Sequence, residues 1–89
     1  MSHHPQPHAK PLGKARRGFR GRVHTIDVHG HANGTAAELE RRLIELGFVE
    51  GARIEVLHEG TFGRDPIAVR VDHSTVALRR REAMAILVT

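Results

Sequence analysis

Residues 39–56 read LERRLIELGFVEGARIEV, and the glycines Gly47 and Gly51 mark where a helical pattern becomes an extended one. Ahead of Gly47, Ala36, Leu39, Leu43 and Leu46 recur at helical spacing; behind Gly51, Ala52, Ile54 and Val56 alternate with Arg53 and Glu55. The first pattern gives a helix one apolar stripe, and the second gives a half-buried strand one apolar face. Glycine adopts left-handed backbone without a Cβ clash, so Gly47 reads as the residue just past a helix ending at Leu46, with Phe48 folding back onto Leu43. Gly51 suits the positive-φ position of a tight turn in VEGA, residues 49–52. A phosphate-binding loop is the competing reading of this glycine pair. It fails on direction, because such a loop precedes a helix and uses the positive end of its dipole, and because the Gly-Lys-Ser/Thr ending is missing.

Working outward, Thr35 followed three residues later by Glu38 has the spacing of a capping box and sets the helix start. Glu38 with Arg42, and Arg41 with Glu45, are placed to pair along the solvated face. HGHANGT, residues 29–35, is a loop. Before it, RGRVHTIDV, residues 20–28, is rich in β-branched residues, but Val23, Ile26 and Val28 break a strict period of two, so a bulge or irregular end is expected. Downstream, Ile67, Val69 and Val71 alternate with Ala68, Arg70 and Asp72. Val76 with Leu78, and AILV at 85–88, complete the set, separated by the long hairpin loop HEGTFGRD and the short DHS. The expected fold is mainly β: a small five-stranded SH3-like barrel with one helix inserted after the first strand, since closure protects so short a sheet at its edges.

The 89 residues have room for one domain, which buries only roughly 60% of its unfolded surface and forms a small core. Charge is unevenly distributed. Six of the 14 basic residues lie before residue 23 without a single acid, and the remaining eight face all ten acids. The strongly basic balance therefore belongs to the lead-in, and residues 1–18, with three histidines, three prolines and little apolar content, are expected to be a flexible basic tail ahead of a domain spanning 19–89. Such an arm can touch nucleic acid or anionic lipid. Absence of cysteine excludes disulfides and thiolate metal sites and fits the cytoplasm. No signal-like or membrane-spanning apolar segment is evident, so any contact with a membrane is peripheral.

Chemistry is scarce. Ser2 and Ser74 are the only serines, Lys10 and Lys14 the only lysines, and tyrosine and cysteine are absent. Acyl transfer and Schiff-base chemistry have almost nothing to work with, and no catalytic residue or cofactor is assigned. His24, His29 and His31 are the weak metal candidates, with no carboxylate placed to complete a ligand shell. Single-strand nucleic-acid platforms need aromatics beside a basic groove, and only Phe19, Phe48 and Phe62 exist. The triplet Arg79, Arg80 and Arg81 interrupts the last hairpin and reads either as a phosphate contact or as a solvated strand end. The hairpin tip Thr61, Phe62, Gly63, Arg64 and Asp65 is the candidate partner-binding surface; the alternative is that Phe62 folds under its own loop as packing.

Leu43, Leu46 and Gly47, then Phe48 and Gly51, Ile54 and Val56, Asp65 and Pro66, Arg70 and Val71, Leu78 and Arg79, and Glu82 and Ala83 form one series of motifs. On these residues, the stretch 20–88 resembles the ferrous iron transport protein A (FeoA) family. Two departures stand out: Arg64 separates Gly63 from Asp65, and Glu50 occupies a place where the family often has proline. The resemblance implies an SH3-like, non-enzymatic, cytosolic adaptor of the FeoB-type membrane ferrous-iron transporter, contacting its GTP-binding region. The same module forms the C-terminal domain of diphtheria toxin repressor-type metal-dependent regulators. A nucleic-acid-binding small barrel and a free-standing metal-sensing domain are the alternative readings, and self-association is left open.

Overall fold

The computed structural model describes residues 9–31 and 34–89. Strands β1 (Lys10–Pro11), β2 (Arg20–Ile26), β3 (Arg53–Glu59), β4 (Ile67–Val71), β5 (Ser74–Leu78) and β6 (Ile86–Val88) form one antiparallel sheet in the order β1-β6-β2-β3-β4-β5. Helix α1 (Ala36–Glu45) follows β2, and a single helical turn, α2 (Arg80–Ala83), joins β5 to β6. All five expected strands are present. The sheet has a sixth strand and is not closed, because its outer members β1 and β5 do not pair with each other.

Strand β2 is the bend of the molecule. Its first half pairs with β3 through Arg20↔Glu55, Gly21↔Ile54 and Arg22↔Arg53. Its second half pairs with β6, where the register jumps between Val23↔Val88 and Thr25↔Leu87. The extra residue, His24, turns the strand from one partner to the other and explains why its apolar residues do not keep a period of two.

The helix-to-strand joint is built from backbone chemistry. Phe48 donates its N–H to the Leu43 carbonyl at 3.0 Å and Gly47 donates to Ile44 at 2.9 Å, with Gly47 at φ +106°. These two bonds satisfy carbonyls that the end of the helix would otherwise leave orphaned. Gly51, at φ +86°, donates to the Val23 carbonyl at 2.8 Å, while Ala52 closes the turn onto Val49. Gly51 thereby fastens the joint to β2. Leu43 and Phe48 are both fully buried, each contributing on the order of 1.5–3 kcal/mol through apolar burial. They lie in one core with Leu12, Val23, Ile54, Val56, Ile67, Val69, Leu78, Ile86 and Val88.

Several local expectations need correction. Thr35 is the N-cap of α1, but it makes no side-chain cap bond, and its backbone, φ −121° and ψ −8°, departs from the extended conformation that favours one. Arg42 pairs with Glu82 of α2 at 2.8 Å, across to another element and away from Glu38. The tail boundary also moves. Residues 1–8 lie outside the described residues, but Lys10–Pro11 pairs with β6, Leu12–Lys14 forms a 3₁₀ turn, and Leu12 is fully buried. The lead-in from residue 10 thus contributes a strand and a core side chain, because Pro11-Leu12 supplies apolar surface where composition alone suggested little.

Candidate functional site

The loop joining β3 to β4, residues 60–66, is held at its base by backbone and side-chain hydrogen bonds. Gly60 donates to the Pro66 carbonyl at 2.8 Å, closing its base. A Cβ built on Gly60 would lie 2.2 Å from the Asp65 carbonyl oxygen, so only glycine allows the two sides of the loop to approach this closely. Gly63 and Arg64 take φ of +66° and +60°, and the Asp65–Pro66 peptide is cis. The additional residue Arg64 is therefore accommodated in left-handed backbone.

The centre of this arrangement is Arg80, the middle member of the arginine triplet. Its backbone N–H donates to Asp65 Oδ1 at 2.9 Å and its Nε to the Arg64 carbonyl at 2.8 Å. Nη1 reaches the carbonyls of Gly13 at 3.0 Å and Ala15 at 2.6 Å, and Nη2 meets Glu59 Oε2 at 2.6 Å. Both side chains of the last pair are about four-fifths buried, at 20% and 19% exposure. A planar guanidinium supplies five donors in fixed directions, and lysine could not span these acceptors. The central arginine of the triplet thus ties the lead-in, β3 and the hairpin loop together, while Arg79 and Arg81 on either side of it are exposed.

Above this base the loop tip is bare. Thr61, Phe62, Gly63 and Arg64 are exposed, whereas Asp65 is half-buried and engaged with Arg80. Phe62 is 88% exposed, the most exposed large apolar side chain among the described residues, so it does not pack beneath its own loop. A large aromatic displayed on a rigid support is the feature that anchors protein contacts.

A second region is an open groove of about 1180 Å³ between α1 and the β6–α2 side, lined among others by Asp27, His31, Leu39, Arg42, Glu82 and Met84. Of the metal candidates, His29 and His31 line it and His24 does not. His24 is the exposed bulge of β2. His29 Nδ1 lies 2.6 Å from Asp27 Oδ1, which also accepts the His29 backbone N–H. These two bonds, the backbone one foremost, hold the Asp27 carboxyl below its ordinary range. His31 Nε2 is 3.1 Å from the Arg81 carbonyl, to which it donates, and its buried Nδ1 has no partner among the described residues. No group of three His, Asp or Glu able to hold a cation occurs among the described residues.

At the rim of the groove, burial acts to raise the Glu82 carboxyl. The Arg42 hydrogen bond, the Arg79 N–H and the charges of Arg42 and Arg81 together outweigh it and hold Glu82 below the usual glutamate range. Glu82 Oε1 also caps α2 by accepting from the Arg79 N–H at 3.1 Å. Neither region assembles a nucleophile, base and oxyanion donors; both present surface.

The FeoA domain model matches residues 10–89, a span that begins at β1. The chain is similar to the Stenotrophomonas maltophilia FeoA complexed with zinc, described as a procaryotic SH3 domain protein and a candidate ferrous iron transport activating factor. The two share 32% identity over 91% of each chain, with a TM-score of 0.74. The solution structure of a FeoA-like protein from Clostridium acetobutylicum has a TM-score of 0.78 at 25% identity, covering 94% of this chain and 88% of that one. A manganese-dependent transcriptional repressor matches 96% of this chain at 30% identity and a TM-score of 0.75, but only 43% of its own length is covered. No curated protein matches.

Proposed function

Because the chain belongs to the FeoA family, we propose that it is a cytosolic accessory protein of ferrous iron transport that binds the cytosolic GTP-binding region of a FeoB-type transporter, with Thr61–Asp65 as its contact surface. The observation that carries this reading is Phe62, 88% exposed on a loop whose base is fixed by Arg80. A pre-formed loop loses little conformational freedom on binding, and a central aromatic is the residue type that most often dominates such an interface. The role is regulatory rather than enzymatic, since binding at a rigid tip needs no chemistry. Among the described residues no helix is long and apolar enough to cross a membrane, which suits a protein brought to the transporter by contact.

The test is a pull-down with the transporter's cytosolic region, with and without guanine nucleotide, alongside ferrous iron uptake in cells. Phe62→Ala is expected to weaken capture at least about tenfold, as for truncation of a hot-spot aromatic, while leaving the melting temperature unchanged. Capture equal to that of the unaltered protein removes the hairpin from the interface. Uptake that is indifferent to deletion of the protein removes the adaptor role itself.

A further inference from the structure

The two outer strands of the sheet are protected unequally. β1 is only Lys10–Pro11, a charge and an imino acid that discourage further pairing. β5 reads STVAL, with neither charge nor proline. Asp72 donates its N–H to the Arg53 carbonyl at 2.9 Å, and Arg70 pairs with Glu55 in the same alternation, so even-numbered residues of β4 turn their backbone toward β3. Val71, Val69 and Ile67 turn theirs toward β5 and engage the backbone of Ser74, Val76 and Leu78. Thr75 and Ala77 consequently point both N–H and C=O away from β4. Both residues are exposed, and neither finds a backbone partner on that side among the described residues.

We propose that this edge pairs with the same edge of a second copy of the chain, antiparallel, about a two-fold axis at Val76. In that register each Thr75 faces the other copy's Ala77, and two such pairs exchange four backbone hydrogen bonds. The second copy is favoured over an unrelated strand because the edge is complementary to its own reverse. Its leading end carries the exposed Asp72–His73 turn and its trailing end the exposed Arg79. Antiparallel pairing lays each Arg79 beside the opposite acidic turn, and a two-fold interface requires such self-complementarity. The small side chains of Thr75 and Ala77 leave the approach open.

Sedimentation equilibrium of the full chain tests this directly. The average mass is expected to rise from one chain toward two between about 10 µM and 1 mM, the range of a small interface. Ala77→Lys is expected to weaken association at least about tenfold with unchanged melting, a lysine being the residue that natural edges use against pairing; Thr75→Lys serves if Ala77→Lys melts early. The chain has no cysteine, so Val76→Cys places a lone thiol opposite its own counterpart. Mild oxidation should link it into dimers faster than Phe62→Cys. A single-chain mass at every concentration overturns the proposal, as does a dimer that survives both lysine variants or crosslinks equally at 62 and 76. A monomer whose capture by the transporter's cytosolic region is weakened by Ala77→Lys assigns the edge to a strand of that partner and overturns self-pairing.

Discussion

Arg80 holds together parts of the chain that are far apart in sequence, and its guanidinium has no charge to spare for an outside ligand. Replacing it with alanine leaves the largely buried Glu59 carboxylate and the carbonyls of Gly13, Ala15 and Arg64 without their donor. The expected cost is about 3 kcal/mol, the scale of breaking a largely buried ion pair, and lysine should restore only a minor part. Urea unfolding of Arg80→Ala and Arg80→Lys checks both figures. Nothing in the sequence singles Arg80 out from Arg79 and Arg81, because its partners lie at residues 13, 15, 59 and 64–65 and only the fold assembles them. Gly47 and Gly51 are different. Their roles follow from the residues beside them, so the reading of LGFVEGA transfers to the structure with both positive-φ positions in place. Phe62 falls between: the sequence shows an aromatic in a polar loop but not whether it turns inward, which depends on a base built from Gly60, Asp65 and Arg80.

At the scale of elements, α1 is fastened to the sheet by the apolar residues Leu39 and Leu43 and by the Arg42–Glu82 ion pair. Glu82 is held below its ordinary value, so the ionised form is favoured by folding. Its contribution to stability is complete above the unfolded value near 4.5 and is lost as pH falls through the lower folded value. Glu82→Gln is therefore expected to melt earlier than the parent protein at neutral pH, but to lose less stability between about pH 5 and pH 3. Melting temperatures measured at several pH values decide this; parallel slopes for the two proteins would show that Glu82 is not a source of acid sensitivity. The element pattern itself was largely legible, since the alternation in β3 and β4 and the stripe on α1 follow from periodicity. β1 was not, because two residues cannot display a period, and its strand character comes only from pairing with β6. The expected cap at Thr35 failed for the same reason: spacing names the residues of a capping box, whereas the approach of the chain decides its backbone angles.

For the molecule as a whole, the charge division seen in the sequence acquires a different meaning. Part of the basic lead-in belongs to the folded unit, with Lys10 in β1 and its ammonium 5.8 Å from the Phe19 ring. The mainly β class and SH3-like character were readable from strand count and turn spacing. Closure was not, because it depends on whether the two outer strands of the sheet meet. These are β1 and β5, at opposite edges, while β6 sits inside the sheet, beside β1 and β2. That placement has a kinetic side. Lys10 and Pro11 must find Val88 and Leu87 across almost the entire sequence, and Val23 must find Val88 across most of it. Closing loops of such length is entropically costly before any contact rewards it, so refolding should take milliseconds to seconds, as in other small sheets dominated by non-local pairs. Stopped-flow refolding measures this; completion within microseconds would mean that the hairpins alone, without β6, already form most of the native state. Until β6 arrives, β2 lacks a neighbour along its second half, and the time spent waiting for it is the interval in which the chain is most vulnerable to pairing with the wrong strand.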